Sequence, residues 1–564
     1  MPDAPARLVL GPLLRYVGPE SGTETACATI WVETDRPCTV SVSTTVPDAQ
    51  ASARTFAVGE HHYALVLVRG LPVEQATPYT VQLDEEPVWP TDGSYPASVI
   101  RPWRAGATFR LAFGSCRVTG PLDDPDLGTD ALVALSERMR EQDPAEWPDL
   151  LLFVGDQVYA DENISPGTFE YVKHRRRNGE DRNGPPQRAE VNDFEEYTHL
   201  YQEAWSPAPV RWLLSTVPVA MIFDDHDVRD DWNTSVTWRR QMEALPWWRE
   251  RIVSGLTSYW LYQHLGNLDP TALEDSEVFA KLRDAKDGAE GERILRELAA
   301  RADKEADGGP GVRWSYLRDL GAARLLVIDS RCGRIVTEDR RQMVDDDEWQ
   351  WIVDNTAGDH DHLLIATSVP FLLPPGVHHL EAWNEAVTAG AWGRRFRQLG
   401  EKIRQGADLE HWAAFGTSFA AMADLVAEIG SGVRGKPPAT VIFLSGDVHF
   451  SYGARAKVKD RHDVQSAVVQ AVCSPLRNPL ERKMRAAQRI TSTRAAYWIG
   501  RVLARSAKVP PPSLDWAVEQ GPSFTNDVGV IEMSGRQATL RMEAASAGPA
   551  LEETFRADLT AERS

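Results

Sequence analysis

From about residue 110 onward, short apolar runs recur along the chain, each closed by Gly, Ser, Asp or Thr. The runs at 111–114, 151–154, 219–223, 323–328, 363–366 and 441–444 are of this kind. Apolar runs of that length bounded by turn residues predict buried strands. Longer stretches with helical spacing lie between them, which gives an α/β class. The first 105 residues follow another pattern. Segments 28–34, 39–44, 63–68 and 79–83 alternate or run apolar with turn residues between them, which predicts a β-sandwich of immunoglobulin or fibronectin type. A Pro- and Gly-bearing stretch from Trp89 to Arg104 reads as a linker. The expected organisation is a sandwich domain at 1–105 and a larger α/β domain at 106–564. Runs at 528–533 and 538–543 predict a hairpin that finishes the second sheet of the larger domain.

Four of the runs end in metal-ligand residue types. They are Gly-Ser-Cys116, Gly-Asp156-Gln-Val-Tyr159, Asp224-Asp225-His226-Asp227 and Gly-Asp447-Val-His449. Ligands collect at the carboxyl ends of strands in open α/β sheets, so four strands of one sheet would deliver these side chains to a common rim. Asp447 and His449 stand at i and i+2, on the same side of an extended segment. A single Gly-Asp after a strand is ordinary turn chemistry. The concurrence of four such endings points to a two-metal hydrolase.

This set of motifs resembles the PhoD-like (alkaline phosphatase D) family of metallophosphoesterases, within the calcineurin-like and purple acid phosphatase superfamily. The resemblance runs from about residue 110 to about 545. It implies a four-layer α/β/β/α sandwich and hydrolysis of phosphate esters, as phosphodiesterase or alkaline phosphatase, by a metal-activated water. It implies that Cys116, Tyr159 and His449 bind one metal, that Asp156 bridges, and that Asp225 and Asp447 bind the second. His226 would contact the phosphate or leaving group. Thiolate, phenolate and imidazole suit iron or another transition metal, and the carboxylates suit calcium, magnesium or manganese. The sequence departs from the superfamily at Ser368, where related strands carry a His. Asp227 is expected beside the ligands rather than among them, and Asn233 near phosphate or metal. Arg117 is a candidate to pair a phosphate oxygen, for which a guanidinium is well shaped, and reads equally as a structural ion pair; Arg331 is a further candidate for phosphate.

Composition narrows the field. A formal net charge of −21 over 564 residues excludes a general nucleic-acid binder, whose affinity needs a basic surface. No apolar stretch approaches a membrane span. The opening Met1-Pro-Asp-Ala-Pro-Ala-Arg7 lacks the basic and apolar regions of a secretion signal and any twin arginine, so a cytoplasmic protein is expected. In that compartment Cys27, Cys38, Cys332 and Cys473 read as small buried residues, although Cys27 and Cys38 fall on what read as neighbouring strands and could touch.

Two insertions separate the ligand strands. One, near 161–209, follows Tyr159 and is expected to overhang the site; its His174-Arg-Arg-Arg177 run is either a solvated face or a hold on a distal anionic group. The other, near 269–311, is expected to be an exposed helical excursion. Eight Lys or Arg and one acidic residue fall between Glu481 and Lys508, with an interrupted apolar stripe of Met484, Ala487, Ile490, Trp498, Ile499, Val502 and Leu503. The preferred reading is a helix packed on the domain with its arginines outside; the other is a helix lying on anionic lipid. Two further function classes stay open, a non-catalytic metal-stabilised scaffold and a peripheral phospholipid-binding or phospholipase D-type protein.

Overall fold

The computed structural model describes residues 4–560 apart from 74, 92, 105, 162, 181–189, 481, 492 and 547–549, and leaves aside the side chains of 482, 486, 487, 490 and 491. The N-terminal region is the expected sandwich. One antiparallel sheet runs Leu8–Pro19, Thr25–Thr34, His61–Pro72, Phe56–Val58. The other runs Ala51–Arg54, Thr39–Thr44, Thr77–Leu83, Glu86–Trp89, with Val99–Ile100 also paired to Thr77–Leu83. Side chains alternate along each strand. Ile30 and Val32 therefore pack between the sheets with Val40 and Val81, while Trp31 points the other way, into the core of the larger domain.

The two regions thus share a hydrophobic core. Arg15, fully buried, fastens them with hydrogen bonds to the carbonyls of Val219 (3.2 Å), Tyr262 and Gln263 (both 2.6 Å). A buried guanidinium demands such acceptors. One of them, Val219, begins the strand that leads to Asp224–Asp227.

The larger domain contains two sheets. The first has the order Val219–Ile222, Leu150–Val154, Phe109–Gly114, Asp527–Ser534, Gln537–Ala545, Leu551–Asp558, and its first three strands are parallel. The second has the order Tyr316–Leu320, Ala323–Ile328, His362–Thr367, Thr440–Ser445, Ala467–Val472, Ser451–Val458, Leu514–Ser523, with a parallel centre. One face of the second sheet (Leu325, Leu364, Ile442, Val469) joins the core built on the first. Its other face packs with the helices Asp346–Asn355 and Gly416–Gly430.

Three expectations are corrected. The ligand strands do not belong to one sheet: three are neighbours in the first and Thr440–Ser445 lies in the second, so the rim forms where the carboxyl ends of two packed sheets meet. The C-terminal hairpin completes the first sheet, next to Phe109–Gly114. The 269–311 insertion is helical but is no exposed excursion. Its longest helix, Gly288–Ala302, carries an apolar stripe that needs cover, and Leu295 and Ala299 are fully buried. It lies along the short edge strand Phe56–Val58, and Gly59 N–H donates to the Gly288 carbonyl at 2.9 Å, which shields an open sheet edge. All five cysteines are free and buried, Cys27 within the strand Thr25–Thr34 and Cys38 in the connection just before Thr39–Thr44. Among the described residues no helix is long and apolar enough to cross a membrane.

Candidate metal centre

The four motif endings converge. Cys116, Asp156 and His449 bring one potential ligand atom each to within 4.8 Å of one another, and so do Asp156, Asp225 and His226, and Asp224, Asp225 and Asp447. Asp156 belongs to two of these groups. Its Oδ2 lies 3.3 Å from Cys116 Sγ and 3.5 Å from the Tyr159 hydroxyl, while Oδ1 is buried with no hydrogen-bond partner. Asp224 Oδ2 is likewise buried and unpartnered.

The backbone is strained where these side chains are presented. Cys116, Asp156, Asp447 and His449 all have positive φ, between 50° and 68°. Such values are uncommon outside glycine and collect at functional sites. The motif glycines have steric causes. Gly155 has φ +109°, and a Cβ there would stand 2.6 Å from Asp224 Cβ. A Cβ on Gly446 would collide with Ser115, whose hydroxyl accepts the Asp447 N–H at 3.1 Å. The Gly-Ser-Cys and Gly-Asp-Val-His motifs therefore interlock.

Burial sets the electrostatics. It pushes the Cys116 thiol up to about 12, with the Asp447 charge adding to it, and pushes Asp156 and Asp224 well above the carboxylate range. Burial also opposes charge on His226, but Asp161, Asp225 and Asp156 outweigh it and hold the imidazole well above its usual value. His449 goes the other way, to about 4, through burial and the nearby His226. A buried thiol beside several carboxylates is costly without cations. The orphaned Asp156 oxygen and the mixed sulfur, phenol and imidazole donor set fit a transition metal.

The centre faces a cavity of about 480 Å³ whose walls include Asp156, Asp225, His226, Asp447 and His449, with Leu373, Phe450 and Met484 among its apolar lining. A larger cavity of about 610 Å³ lies elsewhere, between Ser235 and Gln405, and none of the clustered groups opens into it.

Residues 130–283 match the family model described as PhoD-like phosphatase. A solved structure titled "Structure of PhoD" covers 98% of this chain and 89% of its own, with a TM-score of 0.57 at 12% identity. Residues 130–283 are thus similar to PhoD-like phosphatases. At that identity the structural likeness is one of fold. Residues 5–100 match a domain of unknown function, DUF7800. The type III pullulan hydrolase from Thermococcus kodakarensis aligns over 96% of this chain and 94% of its own at 8% identity, but a TM-score of 0.13 carries no argument. The comparison with curated proteins gives no match. The PhoD-like segment includes Asp156, Tyr159, Asp225 and His226; Cys116, Asp447 and His449 lie outside it and reach it through the fold.

Other expected residues take definite places. Asp227 accepts the N–H groups of Asp156 (3.1 Å) and Asp224 (2.9 Å) and holds both motifs in register. Arg331 is fully buried beneath the carboxylates and pairs with Asp224, Asp225 (3.2 Å), Asp447 (3.3 Å) and Glu410 (2.7 Å). Asn233 donates to the Arg331 carbonyl at 3.1 Å and accepts from Arg239 at 3.0 Å, so it positions Arg331. Arg117 is a correction. Its guanidinium is committed to Asp130 (2.8 Å) and the Ala204 carbonyl (2.8 Å), a buried structural pair that turns it from the cluster. The arginine run is also tied inward: Arg175 pairs with Asp193 at 2.6 Å and Arg176 donates to the Glu190 carbonyl, and none of the run lines the cavity. Residues 181–189 of that insertion lie outside the described residues.

Several site residues escaped the sequence reading. Asp161 Oδ1 holds His226 Nδ1 at 3.0 Å. Tyr159 stacks on the His226 ring with centroids 4.6 Å apart and accepts from Asn478 at 3.0 Å. Ser474 donates to Cys116 Sγ at 3.2 Å. His411 bridges Asp447 (2.8 Å) and Glu381 (2.6 Å). The imidazole beside Asp447 therefore comes from the loop that carries His411 and not from the strand before Ser368. Ser368 hydrogen-bonds Ser330 instead. The signal available for His411 was Asp408-Leu-Glu-His, an acidic and imidazole cluster beside the apolar Trp412-Ala-Ala-Phe.

Proposed function

We propose that the chain is a metal-dependent hydrolase of phosphate esters, its water activated at a two-metal centre. The observation that carries this reading is Asp156, shared between the Cys116/His449 group and the Asp225/His226 group with one carboxylate oxygen unpartnered. Cys116, Asp156, Tyr159 and His449 would hold the first ion, iron or another transition metal. Asp156, Asp225 and Asp447 would hold the second, a hard ion such as calcium, magnesium or manganese. Such a pair lowers the pKa of a bound water and stabilises attacking and leaving oxygens.

The chain's own residues do the rest. Arg331 supplies one fixed positive charge beneath Asp224, Asp225 and Asp447. His411, backed by Glu381, fixes the Asp447 carboxylate. His226, held at Nδ1 by Asp161 and facing the cavity, presents Nε2 to a leaving-group oxygen and gives it a proton. Leu373, Phe450 and Met484 in the cavity wall give an apolar substituent a surface to pack on, and a monoanionic diester approaches the carboxylate-rich centre at less electrostatic cost than a dianionic monoester, so diesters with an apolar substituent are the favoured substrates.

The test is hydrolysis of bis(p-nitrophenyl) phosphate and p-nitrophenyl phosphate by metal-replete protein, with and without chelator. Chelator-sensitive turnover, faster on the diester, is expected. A replete protein that cleaves neither ester would overturn the reading in favour of a metal-stabilised scaffold.

A further inference from the structure

Six of the nine large apolar side chains that stand exposed among the described residues fall on three helices, the other three being Leu122, Phe169 and Val433. Phe396 (41%), Leu399 (52%), Met484 (50%), Trp498 (57%), Ile499 (62%) and Val502 (62%) lie on three helices, Arg394–Gly406, Arg482–Thr491 and Arg494–Ser506. The expectation of an apolar stripe packed inward is therefore corrected for Trp498, Ile499 and Val502; the side chains of Ala487 and Ile490 lie outside the described residues. Exposed apolar groups scattered singly need no explanation, but a concentration of them marks an interaction surface.

The helix Arg494–Ser506 shows how this arises. It seats on Pro375–Ala389 through the small residues Gly500 and Ala504, with Ala507 just beyond its end. At the helical period, Trp498 and Val502 fall on the side opposite Gly500. Arg494, Arg501 and Arg505 cluster along one edge of that outward face. The small residues thus leave the bulky apolar ones facing out, flanked by positive charge. The helix Arg394–Gly406 packs on the same partner, and its Ile403 joins Leu503 and Trp383 in one apolar cluster. It too is rich in arginine and exposes Phe396 and Leu399.

From these features we infer that this face docks on an anionic phospholipid bilayer. The segment 482–508 carries eight basic residues and no acidic one in a chain of net charge −21, so its charge runs against the rest of the molecule and complements an anionic surface. A basic edge beside an exposed Trp, Ile and Val face is the pattern of a helix lying in the membrane interface. A merely solvated basic helix has no use for the apolar face. Met484 and Gln488, on the neighbouring helix, line the candidate cavity, so docking would hold its mouth at the lipid surface.

The inference goes beyond phosphate-ester hydrolysis and is tested without substrate, by sedimentation of the intact protein with vesicles of phosphatidylcholine alone or mixed with phosphatidylglycerol. Binding to the mixed vesicles only, weakened by salt, is expected. Arg494→Glu with Arg501→Glu and Arg505→Glu should weaken it at least about tenfold, and Trp498→Ser with Val502→Ser should weaken it comparably. Both variants should keep the wild-type melting temperature and metal content, which separates a lost surface from a lost fold. Absence of binding to anionic vesicles, or variants that bind as the wild type does, would overturn the inference. Failure of the ester assays would leave this result untouched.

Discussion

Cys116 Sγ lies 3.3 Å from Asp156 Oδ2, a thiol and a carboxylate just past the ends of adjacent parallel strands, buried together with no cationic side chain bonded to either among the described residues. Burial pushes both toward their neutral forms. Each is also held at positive φ, so the backbone is bent to bring them together. A cation held by these two groups would relieve the electrostatic cost, and on the proposed reading the strain belongs to a prepared site.

Asp156→Asn should therefore abolish ester hydrolysis, lowering kcat/KM by at least about 10³-fold, on the order expected for losing a metal-activated nucleophile. Circular dichroism and the melting temperature of the metal-free protein should stay near wild type, because Asn keeps the volume of a carboxyl that burial already holds toward its neutral form. Retained turnover in a folded variant would eliminate a bridging role.

His226 is held by Asp161 and stacked on Tyr159. If it protonates the leaving oxygen, His226→Ala lowers kcat by about 10²–10⁴-fold while metal content is unchanged. Asp161→Asn should act in the same direction and less strongly, with KM little altered. Leaving-group dependence sharpens the test: a p-nitrophenolate ester, whose leaving group needs little protonation, should suffer less than an alkyl ester. Equal losses on both esters would contradict the proton-donor role.

Much of this site was legible in the chain. The four strand endings carry Cys116, Asp156, Tyr159, Asp225, His226, Asp447 and His449 because an apolar run and its terminal turn are local signals. Their partners were less visible. His411 and Asp161 come from loops, and nothing local says which carboxylate each will meet. For Arg117 the sequence left phosphate contact and a structural ion pair equally open, because a position beside Cys116 says nothing of direction, and its guanidinium finds Asp130. The assignment of all ligand strands to one sheet failed for a similar reason. Apolar runs predict buried strands but not which sheet each joins.

The Arg117–Asp130 pair gives its own prediction. Both side chains are almost fully buried, so Arg117→Met leaves a carboxylate without its partner and should destabilise the protein by about 3–5 kcal/mol in denaturant titration. KM for phosphate esters should be unchanged at temperatures where the variant is folded. A raised KM with unaltered stability would restore Arg117 to the substrate.

Stability across the seam between the sandwich and the larger domain should depend on pH through His61. It bridges Glu33 (2.8 Å) in the sandwich and Glu195 (3.0 Å) on the helix Phe194–Trp205. Burial opposes its charge, but the two glutamates prevail and raise it to about 10. The folded value lies above the unfolded value of about 6.5, so the stabilisation is complete below pH 6.5 and is lost as pH rises toward 10. Comparing wild type with His61→Gln should show a gap of about 1.5–3 kcal/mol at pH 6 that closes with rising pH. A gap independent of pH would mean that His61 contributes packing alone.

The central claim, a two-metal centre built on Asp156, is tested most directly by elemental analysis of protein purified without chelator, wild type beside Cys116→Ser. The account predicts about one transition-metal ion and at least one hard divalent ion per wild-type chain, with the transition metal depleted in the variant and the hard ion retained. A wild-type chain that carries no metal and takes none up on reconstitution, or a variant with unchanged transition-metal content, would contradict it.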